Sequence, residues 1–417
     1  MRMSDVRVER GRTARLERVD GELWVGSNAK ITAANGKAVT VSGGAHFEGS
    51  AEIACDFECE SLKVDRGKLE VAGDLTVRGN ADVAHTVEVE GEIRAKSIDV
   101  GGKVSSKSIF CEGSINVGGL MHVVGDLEAG PVGVGGKVDV SGGVKITDLD
   151  IGGTAEVGGG SISGRVRVGG LFASKGPLEF GEMMVYGRCA LPAGCAGRKI
   201  STFGKLSVAG ALSCHQIDVE GVTEVKGDCS AANVLVNGKL SVSGSMSVSG
   251  ALESRGSAEV KGEVKGADLK VGGRFRAERA VLSSEADIVG ELETERGMKA
   301  KLVTVGIGSR CKGPLVGERI QLGASSMTLA NWGGTWAGQS IAIRAIGRMT
   351  SVEDLYAKEV VLGKNSRCGR VFAEKVEVAE GCTVEQVVYT TELRGPIRRA
   401  FFSRPPEKAA SLPSFPL

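Results

Sequence analysis

Aromatic residues are scarce in this chain of 417 residues, at 4% of the total. A core without them is narrow and filled by Val, Ile, Leu and Ala, which suits a thin solenoid and suits a sandwich or a deep-pocketed enzyme poorly. Charge of one sign is lacking too. Lys and Arg number 52 against 51 Asp and Glu, a formal charge of +1, so the footprint of a general nucleic-acid binder is missing. No apolar run reaches membrane-spanning length, and Met1-Arg2-Met3-Ser4-Asp5 has no signal-peptide core. The expectation is a soluble, cytoplasmic protein, with nothing that specifies a membrane contact.

The ten cysteines, Cys55, Cys59, Cys111, Cys189, Cys195, Cys214, Cys229, Cys311, Cys368 and Cys382, include no CxxC pair. Without an export signal they read as reduced residues in small apolar core positions. Cys55 and Cys59 would lie roughly 13 Å apart on one strand face, too far to share a metal or a disulfide. His46, His85, His122 and His215 stand far apart in sequence. No metal or cofactor is expected from these spacings.

What the chain does have is a repeat. Large aliphatic residues fall at Leu69, Leu75, Ala81, Val87, Ile93, Ile98, Val104, Ile109, Ile115, Met121 and Leu127, in steps of six with an occasional five. A second series follows two residues behind, at Val71, Val77, Val83, Val89, Ala95, Val100 and Val117, often with glycine two residues later, as at Gly73 and Gly91. Alternation at period two means a short half-buried strand, and glycine lets the backbone turn a corner with no β-carbon in the way. Three such units make a turn of roughly 17 or 18 residues. The fold class is therefore all-β, a single three-sided parallel β-helix of about 20 rungs. Both inward positions are commonly large, as in Leu75 with Val77, which points to a right-handed coil.

Residues 1–20 read as an N-terminal segment or first cap, with Val6, Val8 and Leu16 as a short strand, and the coil as residues 21–395. Trp24, Phe47 and Phe57 are bulky for such a core, and a plugged end and a widened first rung explain them equally. Interruptions are expected near 188–204, where Pro192 and several small residues suggest a loop bulging from a corner, and near 323–349, a Gly-rich stretch containing Trp332 and Trp336. Residues 396–417 hold five of the nine prolines. Proline withholds a backbone donor, so this segment is expected not to extend the ladder but to be a disordered tail or a strap along the coil. Trp332, Trp336, Phe401, Phe402, Phe415 and Leu417 are the candidate contacts for a protein partner.

The glycine-punctuated alternation across 21–395, and above all Val352-Glu353-Asp354-Leu355-Tyr356-Ala357-Lys358-Glu359-Val360-Val361-Leu362-Gly363 with Gly369-Arg370-Val371-Phe372-Ala373-Glu374-Lys375-Val376, resembles the bactofilins, polymer-forming cytoskeletal proteins. That resemblance implies a right-handed triangular β-helix whose copies assemble end to end into nucleotide-independent filaments. The chain is several times longer than the usual single bactofilin domain. The expected function is a non-enzymatic scaffold that self-associates through terminal rungs. The alternatives are a carbohydrate-active β-helix lyase or hydrolase and a left-handed acyltransferase. Acidic residues spread as Glu70, Asp74, Asp82 and Glu88 read as a solvated face and not as a paired-carboxylate site. Glycines such as Gly133 and Gly135 precede no helix and so make no phosphate loop.

Overall fold

The computed structural model describes residues 5–324 and 349–414. It is all-β, a parallel β-solenoid of about 22 turns. The chain divides into two compact units, Met1–Ala209 and Gly210–Leu417.

In the first unit a turn has three strand positions, held by three short strands or, as in Leu75–Val83 and Glu92–Val100, with two of them joined in one longer strand. Lys103–Ser106, Ser108–Cys111 and Ile115–Val117 make one such turn, and Leu120–Val123 then begins the next by lying parallel over Lys103–Ser106. Every member of the repeating aliphatic series from Leu69 to Leu127 is at most 5% exposed. The period-two alternation therefore fills one continuous core, and the residues between point to solvent. Val104, Met121, Val138, Ala155, Phe172, Cys189 and Leu206 are successive partners, each one turn beyond the last. The step is constant, at the separation of 17 that also links Asp126 to Gly143.

One corner explains much of the glycine. At its second position a β-carbon on Gly153 would sit 2.0 Å from the Gly136 carbonyl oxygen, and one on Gly170 would sit 1.9 Å from that of Gly153. The backbones of successive turns approach too closely there for any side chain. The residue before is different, since a β-carbon on Gly152 would meet nothing nearer than 3.4 Å. Farther along this corner the same position carries Tyr186 and Phe203.

Three expectations change in this unit. Residues 6–19 already belong to the coil: Val6–Val8, Thr13–Leu16 and Arg18–Val19 pair with Leu23–Val25, Ala29–Ala33 and Ala38–Val41. Trp24 is no core residue, being 39% exposed between the buried Leu23 and Val25. Phe47 and Phe57 are buried, edge to face at 6.1 Å, beside a widened turn in which Phe47 is the ladder partner of Val25. The loop expected near 188–204 is absent. Arg188–Leu191 and Cys195–Thr202 are ladder strands, and Pro192 occupies the corner between them, where it forgoes the one bond that Lys175 and Ala209, a turn before and a turn after, make to the carbonyls of Val157 and Leu191.

The second unit repeats the plan, with Leu240, Ala258, Phe275, Leu292 and Cys311 as successive inward partners. The next partner of Cys311 is Val352. The ladder is thus paired on both sides of residues 325–348, with Leu315–Ala324 also lying parallel to Leu355–Leu362. The interruption expected near 323–349 falls, apart from residues 323, 324 and 349, outside the described residues.

The proline-rich end also departs from expectation. Phe401–Phe402 and Glu407–Lys408 do extend the ladder, lying parallel to the last long strand Thr383–Arg394. Proline removes only its own donor; Phe401, Ser403, Arg404 and Ala409 supply N–H groups to the carbonyls of Cys382, Val384, Glu385 and Tyr389.

Candidate partner-contact site

The side chains that point outward are answered largely by one another. Lys68 Nζ lies 2.5 Å from both Glu70 and Glu88, and Lys103 Nζ 2.8 Å from Glu88. The hydrogen bonds from Lys103 and Lys68 hold the Glu88 carboxyl below its usual range. Corner aspartates carry a second kind of link. Asp126 accepts the Gly143 N–H at 2.8 Å, and Asp228 that of Ser245 at 2.8 Å, each joining a corner to the corner one turn later.

Nucleophiles and soft ligands are withdrawn from solvent. All ten cysteines are free thiols and buried. Burial pushes the Cys59, Cys229 and Cys311 thiols up to about 12, so they stay protonated and unreactive at neutral pH. Among the described residues no group of three or more His, Cys, Asp or Glu stands together in a way that would hold a metal ion.

The last turns carry a polar groove of about 610 Å³ lined by Glu353, Asp354, Arg367, Arg370, Glu385 and Arg404 among others. Its carboxylates are partly committed to structure. Glu353 Oε2 accepts the Gly313 N–H at 2.8 Å, and Asp354 accepts the backbone N–H of Arg370 at 2.9 Å and its guanidinium Nε at 3.1 Å. Burial alone would raise the Asp354 carboxyl, but the Arg370 hydrogen bonds win and hold it below the usual range.

No family model, no curated protein and no solved structure matches this chain.

Of the six candidate contact residues, Trp332, Trp336, Phe415 and Leu417 lie outside the described residues. The other two are neighbours in one element with different roles. Phe401 is 64% exposed, while Phe402 is half-buried opposite Val384. Thus the tail is anchored by one ring and offers the other. Around it the last turn is acidic: residues 379–395 carry Glu380, Glu385 and Glu392 against Arg394, net −2. Residues 396–414 carry Arg398, Arg399, Arg404 and Lys408 against Glu407, net +3. An ion pair between Arg399 and Glu380 ties the two.

Two exposed aromatic pairs escaped the sequence reading. Tyr186 and Phe203, 56% and 50% exposed, stack at 5.1 Å with their planes 6° apart. Trp24 stacks on His46 at 4.3 Å. The signal for the first pair was their spacing of one whole turn, at the corner otherwise held by glycine. Among the described residues no helix is long and apolar enough to cross a membrane.

Proposed function

We propose that this protein is a non-enzymatic, bactofilin-like cytoplasmic scaffold whose copies associate through a terminal turn of the coil without nucleotide. The observation that carries the reading is the edge of the first turn. Val6–Val8 and Thr13–Leu16 are paired on one side only among the described residues, and three of their inward residues, Val6, Ala14 and Leu16, are only half-buried, while Val8 is buried. A strand edge paired on one side offers unpaired donors and acceptors together with an apolar rim, which is the surface another ladder completes. The buried thiols and the mutual pairing of many outward charges fit a passive body better than a catalyst.

Sedimentation velocity over a range of concentrations, with and without ATP or GTP, tests this for the full chain and for one ending at Gly395. Growth in size with concentration, indifferent to nucleotide, is expected in at least the shortened chain. Monomers in both forms at every concentration would refute the scaffold reading.

The polar groove is the observation that favours the carbohydrate-active alternative. Turnover of an acidic polysaccharide by the wild type, lost on Glu385→Gln, would establish that reading instead.

A further inference from the structure

The last turn of the coil is covered, but thinly. The strand Thr383–Arg394 makes nine register pairs with the turn before it, from Arg367 opposite Thr383 to Glu377 opposite Arg394. Toward the tail it makes four: Thr383 with Phe401, Val384 with Phe402, Val388 with Glu407 and Tyr389 with Lys408. Two sides of the triangle are overlaid in this way. On the third side, at Leu393 and Arg394, no tail residue is paired among those described. No residue of 396–414 is buried. Pro405 and Pro406 lie between the two short pairings and present no N–H to a further strand.

We infer that residues 396–414 are a displaceable strap over a pairing edge, and that the occupant of the uncovered edge is the first turn of a second copy of this chain. This rests on the scaffold reading and assigns it a direction. Charge selects the occupant. The last turn is net −2, and what lies on it now is net +3. The first turn, residues 5–20, carries Arg7, Arg10, Arg12, Arg15 and Arg18 against Asp5, Glu9, Glu17 and Asp20, net +1. A second copy's last turn, at net −2, would be repelled there. The first turn also brings strands for all three sides, where the strap brings two short pieces, Phe401–Phe402 and Glu407–Lys408. Joining unlike edges is a heterologous contact, and such contacts continue from copy to copy. The tethered strap competes at an effective concentration on the order of millimolar, so it delays assembly without forbidding it.

Thr13 supplies the discriminating variant. Lys30 donates to the Arg12 carbonyl, so in an alternating parallel ladder the Thr13 N–H points away from the following turn, toward the open edge. Proline is tolerated at the first residue of an edge strand, and Thr13→Pro would remove that donor from any intermolecular ladder.

The experiment compares, by sedimentation velocity, the full chain, the full chain with Arg399→Glu and Phe402→Ser, the chain ending at Gly395, and each loosened form with Thr13→Pro. Circular dichroism verifies the β-sheet in each, and the full-length double variant answers the question if the shortened chain unfolds. Loosening or removing the strap is expected to lower the concentration for association at least tenfold, and Thr13→Pro to reverse that shift. If the loosened forms associate no more readily than wild type while wild type associates, the strap inference falls and the scaffold reading stands. If every form stays monomeric, both fall. If Thr13→Pro leaves the association of the loosened forms unchanged, the occupant is not the first turn and the assigned direction is wrong.

Discussion

Two adjacent glycines at one corner are subject to opposite constraints. Gly153 faces the Gly136 carbonyl at a distance no β-carbon tolerates, so Gly153→Ala should destabilise the protein by about 1–3 kcal/mol through forced displacement of the neighbouring turn. Gly152→Ala meets only ordinary contact and should be neutral or stabilising by about 0.4–1 kcal/mol, because it restricts the unfolded chain. Urea unfolding of the two variants reads the contrast directly. At this scale much was legible beforehand. The inward aliphatic series could be named from alternation alone, since side chains of a strand alternate strictly between faces. The glycine at each corner was legible as a corner, but not which member of a pair is indispensable. That depends on the carbonyl one turn away, which the repeat does not display until the length of a turn is fixed. Trp24 was misjudged by its bulk, although its place between Leu23 and Val25 already put it outside.

Between elements, the turns are stapled at their corners, and Asp354 is the most elaborate staple, holding both the backbone and the guanidinium of Arg370. Its folded carboxyl lies below the ordinary 3.8. A depressed folded value means the contribution is complete above the unfolded value and is lost as pH falls from about 3.8 through the folded one. Asp354→Asn should therefore cost roughly 1 kcal/mol at pH 7 and progressively less below pH 4. Thermal unfolding of both proteins from pH 7 to pH 2.5 measures the difference, and a gap that is constant across that range would contradict the assignment. The elements that were misread, near 188–204 and after 395, share one cause. Proline is no barrier to the ladder in either place: Pro192 forgoes a single corner bond between two paired strands, and Pro405 and Pro406 stand between residues that provide the donors. Proline marks where one hydrogen bond is missing, and only the register shows whether that bond was wanted.

For the molecule as a whole, every inward residue needs partners only from the turns before and after it. The ladder from Cys311 to Val352 is thus indifferent to what enters between Ala324 and Met349. Deleting residues 325–348 is expected to leave the circular dichroism unchanged and to shift the urea midpoint little, since loop-closure cost grows only by about 0.6 kcal/mol for each doubling of loop length. Loss of cooperative unfolding would show that the segment does more than connect. The candidate contact site was only partly legible at this scale. Phe401 and Phe402 could be singled out as apolar handles, but their division into an anchor and an exposed ring follows from pairing with Thr383 and Val384, far from them in the pattern that was read.

The step from Cys311 to Val352 has a further consequence. This coil is counted in whole turns, so the chain has a phase as well as a sequence. A duplication or loss of one whole turn within the regular region keeps every later side chain in phase, whereas a gain or loss of a single position inside a strand turns the rest of that strand inside out. Corners are where such slips are absorbed, and the pairing of Cys311 with Val352 shows the inward series in phase on both sides of residues 325–348.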